Sequence, residues 1–217
     1  MDSTGDAAPD LMAQLEPDRL LAAYEAVSPM PVRPEFLEGR AYLPQSPPDH
    51  GHGSAVMSLL LQFRSAAVPG IGTGNGYRFT GRTGSTAGLL VPDIYVRSRK
   101  ATSADEAHYA AYPGWYPSGM LDLVGEVTST NHEIDTGPKL RAYSAAGIPV
   151  YVLIDRRSRT AHCYTNPALP GDDPADAYYE HDTKVDLGDP LPFRRRIPPS
   201  TPAPSSSPAD EPSAPPG

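Results

Sequence analysis

Leu121-Asp122-Leu123-Val124-Gly125-Glu126-Val127-Thr128 and, some twenty residues on, Val150-Tyr151-Val152-Leu153-Ile154-Asp155 are the segments on which the fold turns. The second is apolar up to its terminal acid, the pattern of a strand covered on both faces. In the first, alternation puts Asp122, Val124, Glu126 and Thr128 on one face and Leu121, Leu123 and Val127 on the other. Between them the spacing predicts a helix over 136–146. Pro138 suits only its first turn, where no amide donor is needed, and Gly147 closes it at the left-handed C-terminal position. Strand, helix and strand in about 35 residues read as a right-handed crossover within a mixed sheet, an α/β (α+β) arrangement.

Upstream, Leu90–Val96 predicts another strand, whose register groups Asp93, Tyr95 and Arg97. Phe36-Leu37 and Ala41–Leu43 flank Glu38-Gly39, a hairpin turn dipeptide. Helices are expected over 17–27, with Pro17 in the first turn and Leu20, Leu21, Tyr24 and Val27 in helical phase, and over 52–67, with Val56, Leu59, Leu60 and Phe63 as its stripe. Ile71–Gly88, rich in Gly and Thr, is expected to form a hairpin around Tyr77–Phe79. Short strands near 160–165 and 177–187 complete a body spanning 17–197. Residues 1–16 read as a flexible N-terminus and 198–217 as a disordered tail of Pro and Ser, with no large apolar residue to offset its ordering entropy.

Length and composition bound the function. A chain of 217 residues suits one domain of ordinary size with tails. Its one cysteine, Cys163, excludes an internal disulfide and a multi-cysteine zinc site, and fits a reduced cytoplasmic setting. No apolar run approaches the ~20 residues that cross a bilayer, and the acidic start does not read as a signal peptide, so no membrane partner is expected. Of the net charge of −8, −4 lies in residues 1–16 and −2 from Pro198 onward, leaving −2 for a body that holds all 18 Lys and Arg. A near-neutral body is not a passive polyanion binder, because that affinity comes from clustered Lys and Arg. A nucleic-acid role must rest on a local site.

The residues able to carry chemistry are acidic. Asp93 and Glu126 belong to apolar strands, where desolvation of a carboxylate is costly unless a metal or a cation offsets it. Two such groups on neighbouring strands begin a hard-cation site, since Mg²⁺ is usually held by one or two carboxylates with water and substrate phosphate. They can equally be strand-end acids near solvent. Lys139 lies near the positive end of the predicted helix, where a cation is disfavoured by up to about 1 kcal/mol, so something anionic should sit close by. Glu126 or a substrate phosphate is one candidate; a surface pair with Asp135, four residues earlier, is the other.

Taken together, Pro92-Asp93, then Glu126-Val127-Thr128-Ser129, then Asp135, Lys139, Tyr143 and Gly147 at intervals of four, then Pro149–Asp155, resemble the Uma-two putative restriction endonuclease family, a branch of the PD-(D/E)XK nuclease superfamily. Glu35-Phe36-Leu37-Glu38-Gly39 is similar to that family's early Glu-x-x-x-Gly element, and His52 falls where an early His often occurs. The resemblance covers roughly residues 30–190 and implies a restriction-endonuclease-like core, a mixed β-sheet flanked by helices. It further implies a divalent ion, Mg²⁺ or Mn²⁺, held by Asp93 and Glu126, with Lys139 orienting water or stabilising charge on the scissile phosphate. Glu35 would support the site from the N-terminal element. DNA is the implied substrate. The sequence departs from the superfamily's usual D/E-x-K, because Thr128 stands two residues after Glu126. The lysine must then come from the following helix, as in the resembled family. The alternative is a catalytically weak or inactive interaction module on the same fold.

Other features have readings of their own. The Gly70–Gly76 run lacks the Gly-Lys-Ser/Thr of a phosphate loop. His50 and His52 read as a loop entering a helix rather than as metal ligands, and His132 as an exposed loop histidine or a cleft-lining one. A hydrolase built on His52 or His132 with a serine has no nucleophile-elbow motif behind it. Tyr109, Tyr112, Trp115 and Tyr116 can cap the core, form a homodimer interface or stack on unpaired bases. Arg97, Arg99 and Lys100 after one strand, and Arg156, Arg157 and Arg159 after another, are phosphate-contacting patches only if both turns border one cleft edge. Arg194–Arg196 reads as a solubilising flank.

Overall fold

The computed structural model describes residues 16–28, 33–43, 49–129 and 132–191. The expectations for the first fifteen residues, Arg194–Arg196 and the tail from Pro198 lie outside them. In chain order the elements are α1 (Pro17–Val27), β1 (Glu35–Leu37), β2 (Arg40–Tyr42), α2 (His50–Ser65), β3 (Ile71–Gly72), β4 (Gly76–Thr80), β5 (Thr86–Leu90), β6 (Ile94–Arg97), α3 (Ser103–Ala111), β7 (Trp115–Pro117), β8 (Leu121–Val127), α4 (His132–Thr136), α5 (Pro138–Ala145), β9 (Val150–Asp155), β10 (Thr160–Ala168) and β11 (Tyr178–Asp186).

Local chemistry sets the boundaries. Pro17 opens α1. Glu38 and Gly39 both have positive φ, the geometry of a two-residue hairpin turn, and join β1 to β2. Asp49 caps α2, its Oδ1 accepting the His52 N–H at 2.8 Å. Thr102 and Asp105 form a reciprocal capping box on α3. Gly147, at φ +71°, ends the α5 turn as expected from the sequence.

The strands form two mixed sheets rather than the one expected: β2-β1-β5-β4-β7, and β11-β10-β9-β8-β6-β3. β8 and β9 are parallel, with Leu123 opposite Val150 and Val127 opposite Ile154, and α4 and α5 lie between them in the chain. The split arises in two places. Val91–Asp93 leaves strand geometry, so the predicted Leu90–Val96 strand becomes β5 in one sheet and β6 in the other. The predicted Ile71–Gly88 hairpin is divided likewise: β3 pairs with β6, whereas β4 and β5 pair with each other.

β9 explains why its sequence has no polar side. Tyr151 and Leu153 join a cluster with Tyr77, Phe79, Leu90, Val124 and Tyr143, between the two sheets and α5. Val152 and Ile154 join Phe63, Ile94, Val96, Leu123 and Val127 on the opposite face, under α2. Leu121 departs from the expected alternation: it packs in the first cluster, because the β6–β8 register shifts between Val96 and Arg97. A third cluster seats Leu20 and Leu21 of α1 on Phe36, Leu89 and Trp115.

Leu153 is 1% exposed within the core that backs Glu126. Leu153→Ala should therefore lower unfolding free energy by ~2–5 kcal/mol, read as a lower urea midpoint with unchanged slope.

Candidate active site

Asp93 and Glu126 meet at one end of the six-stranded sheet. β6 runs antiparallel to β8, with Ile94 opposite Gly125, so the residue before β6 falls beside the penultimate residue of β8. The Val127 N–H donates to Asp93 Oδ2 at 2.8 Å, which fixes that carboxylate against the end of β8. His52, from the first turn of α2, places Nε2 3.0 Å from the same oxygen. The histidine is 7% exposed. Its hydrogen bond to Asp93 raises its pKa against the opposing effect of burial. His52 is thus a helical residue in contact with a predicted site acid, and not part of an entering loop.

Glu126 is 2% exposed. Its Oε1 accepts hydrogen bonds from Lys139 Nζ at 3.1 Å and from the Tyr143 hydroxyl. Lys139 Nζ also lies 3.2 Å from Glu35 Oε2 and 3.5 Å from Asp135 Oδ1. Glu35 reaches it from β1 of the other sheet, while its Oε1 accepts the Val91 N–H at 2.8 Å. The two partners weighed for Lys139, Glu126 and Asp135, are both in place, and the Asp135 pair is buried rather than superficial.

This geometry depends on a break that the sequence reading did not place. The helix predicted over 136–146 is α5, and a short helix the sequence did not announce, α4, precedes it, separated at Gly137, whose ψ is −88° just before Pro138. α4 then presents Asp135 to Lys139 from a separate element. The spacing of four that links Asp135, Lys139 and Tyr143 was a readable signal. It marks one face of continuous helix, but not that the face is buried.

Charge in the cleft is unbalanced. Glu35, Asp93, Glu126 and Asp135 converge on Lys139 and His52. Burial raises the Glu126 carboxyl pKa well above the usual range, and Asp93, Asp135 and Glu35 push the same way against the pull of Lys139. Burial, with the same like-charge neighbours, raises Asp135 to about 6. For Lys139, burial works against the ammonium, but the field of Glu126, Glu35 and Asp135 outweighs it, and the side chain stays charged. Burial and the adjacent Glu126 hold Tyr143 protonated, as a hydrogen-bond donor.

The donor set suits a hard divalent cation. Among the described residues no three His, Cys, Asp or Glu side chains form a ready chelate. Asp93 and Glu126 nevertheless supply the two carboxylates that Mg²⁺ commonly uses alongside water and phosphate. Asp93 Oδ1 and Glu126 Oε2 accept no hydrogen bond from the described residues, since the bonds to these acids fall on Oδ2 and Oε1. The negative excess is of the kind a dication offsets.

The remaining predicted features are dispersed. Because β6 and β9 run in opposite senses, the turn after Arg97 lies at the far end of the sheet from Asp155, so the two arginine turns do not share a cleft edge. Arg99 is bound to Asp105, and Arg156 forms a bidentate pair with Asp49. Trp115 is buried against α1, with Arg33 4.9 Å above its ring, and Tyr116 packs against Tyr77 and Tyr109. Thr128 Oγ1 accepts the Arg156 N–H at 2.9 Å. His132, by contrast, lies at the Asp93–Glu126 end of the sheet, bonded to Asp155 at 3.1 Å.

A model of the Uma2 family, described as putative restriction endonuclease, matches residues 20–198. No curated protein matches the chain. Among solved structures, the chain is similar to a putative nuclease belonging to DUF820 from Anabaena variabilis ATCC 29413. Identity is 16%, the match covers 79% of this chain and 88% of that one, and the TM-score is 0.48.

The raised Asp135 pKa has a definite sign in stability. Between its ordinary 3.8 and the folded value of about 6, the native state holds a proton that the unfolded chain has released. Raising pH through that window therefore costs stability. In chelator-treated buffer, Asp135→Asn should remove a component on the order of 1–3 kcal/mol from the fall between pH 4 and 6. Urea unfolding across that range should show the variant gaining on the native protein as pH rises.

Proposed function

The chain belongs to the Uma2 putative restriction endonuclease family, and from that premise we propose that it hydrolyses DNA phosphodiester bonds with Mg²⁺ or Mn²⁺. The observation that carries this reading is the buried Lys139 ammonium bonded to Glu126, with Asp93 on the neighbouring strand, two carboxylates that each keep an oxygen free of hydrogen bonds from the described residues.

When bound by Asp93 and Glu126, the ion would lower the pKa of a coordinated water, polarise the phosphoryl oxygen and offset charge in the in-line transition state. The protein's own groups have simpler tasks. The Tyr143 hydroxyl and Lys139 pin Glu126 Oε1, so the rotamer of the carboxylate is set before any ligand arrives. The Val127 N–H and His52 do the same for Asp93 Oδ2. Glu35 and Asp135 hold the ammonium at the carboxylate cluster. There it can donate a hydrogen bond to a non-bridging phosphate oxygen or to the attacking water. A preset donor in a site shielded from bulk water acts more strongly than the same group in solution.

Duplex phosphates flanking the cut would meet few cations. Arg157, on the turn after β9, is the clearest: its side chain is 65% exposed and reaches Glu133 only at 3.9 Å. Such sparse contacts predict weak, salt-sensitive ground-state binding.

Purified protein with Mn²⁺ should nick plasmid DNA, and chelator should stop it. Glu126→Gln and Asp93→Asn should each reduce the rate by at least the ~10–100-fold that loss of even a supporting group around a metal costs. Calorimetry should show Mn²⁺ binding weakened in parallel. Cutting that persists unchanged in both variants would overturn the assignment, and absence of Mn²⁺ binding by the native protein would favour the inactive interaction module.

A further inference from the structure

His132 and Asp155 form a dyad that the metal, carboxylate and lysine roles above leave unused. Asp155 closes β9 and has both oxygens committed. Oδ1 accepts the N–H groups of Arg157 at 2.9 Å and Ser158 at 3.2 Å, and Oδ2 lies 3.1 Å from His132 Nε2. Burial works to raise the pKa of this carboxyl, but the bonds from Ser158, His132 and Arg157 overrule it and keep it ionised. An anionic acceptor fixes the histidine tautomer: Nε2 carries a proton toward Asp155, which leaves Nδ1 as the exchangeable nitrogen. Nδ1 has no hydrogen-bond partner among the described residues, and the side chain is 19% exposed.

The fold puts this dyad at the same end of the sheet as the carboxylate cluster. Glu126 pairs with Leu153 and Val127 with Ile154 in the parallel β8–β9 ladder, so Asp155 lies two residues past Glu126's partner, at the same sheet end. His132 opens α4, and Asp135, one turn later on that helix, touches Lys139. Residues three apart on a helix have Cβ atoms ~5–6 Å from each other. His132 and the Lys139-bound Asp135 therefore lie one helical turn apart on α4.

We propose that protonated His132 donates from Nδ1 to the oxygen that leaves phosphorus. The inference rests on the hydrolytic reading above. As the oxygen of water bonds to phosphorus, the bond from phosphorus to the departing sugar oxygen breaks, and its electron pair stays on that oxygen. The proton from Nδ1 neutralises the oxygen. Neutral imidazole, still bonded to Asp155, recovers a proton from solvent, and the attacking water loses one. Lys139 is a poor substitute donor, because three carboxylates hold its charge in place. Asp155 is the charged group in contact with His132; Glu133 and Asp135 share its helix, and Arg156 and Arg157 follow Asp155 in the turn after β9.

A leaving-group substitution tests the assignment. Oligonucleotides are built around a bond that the native protein cuts, with either oxygen or sulfur at the expelled bridging position, and assayed in Mn²⁺. A thiolate departs without a proton. His132→Asn should lose ~10²–10⁴-fold on the oxygen substrate while staying within about tenfold of the native rate on sulfur. Retained sulfur cleavage also reports that the variant is folded. Lys139→Ala should lose similarly on both. Equal losses by His132→Asn on both linkages, or no loss on oxygen, would overturn the proposal while leaving the nuclease reading intact. A native protein that cuts neither linkage removes both.

Discussion

One ammonium group ties the architecture together. Lys139 Nζ is shared by Glu126 of one sheet, Glu35 of the other and Asp135 of a separate short helix, while its own backbone belongs to α5. Four elements thus converge on a single positive charge with almost no solvent access. Desolvating such a set costs several kcal/mol per ion, and well-packed apolar residues often serve stability as well or better. A cluster of this kind in the core therefore has poor value as a structural fastener. It makes sense where charge is needed for chemistry, which is also where strongly displaced pKa values concentrate.

The rest of the molecule can be seen as what keeps that charge dry and fixed. α5 lies between the two sheets, with Tyr143 fully buried next to Phe79 and Tyr151, so the helix that carries Lys139 cannot rotate without opening the main core. The Tyr151 hydroxyl donates to the Asp135 backbone carbonyl at 2.8 Å, which anchors α4 to β9. On the opposite sheet face, α2 is held at its start by Asp49 and Arg156, and this delivers His52 to Asp93. Packing on each face of one sheet therefore orients one of the two acids.

Much of this was legible in the sequence, for physical reasons that also mark where legibility stops. The apolar run Val150–Asp155 announced a doubly covered strand, and Glu126 and Lys139 stood out because a carboxylate in an apolar strand and a cation at a helix start both demand partners. Those signals are local. The division into two sheets was not local: it turns on three residues, Val91–Asp93, leaving strand geometry, and on β3 pairing across the sequence with β6. Asp135 was readable as a partner of Lys139 from the interval of four, but burial depends on α4 turning away at Gly137. The bonds His52–Asp93 and His132–Asp155 span 41 and 23 residues, and nothing in the spacing of either histidine encodes its carboxylate.

Thr128 shows why the lysine comes from a helix here. Its backbone N–H continues the ladder to the Ile154 carbonyl, and its hydroxyl and carbonyl accept from the Arg156 backbone and side chain. That position is where the ends of β8 and β9 and the start of α2 are stitched, since Arg156 also grips Asp49. A lysine there would approach Glu126 from within its own strand and leave the stitch unmade. A lysine on α5 approaches from the side that faces the other sheet, and can touch Glu35 and Glu126 at once. The departure from the strand-borne lysine pattern is thus coupled to the second sheet: Glu35 reaches the cation only because Lys139 stands between the layers.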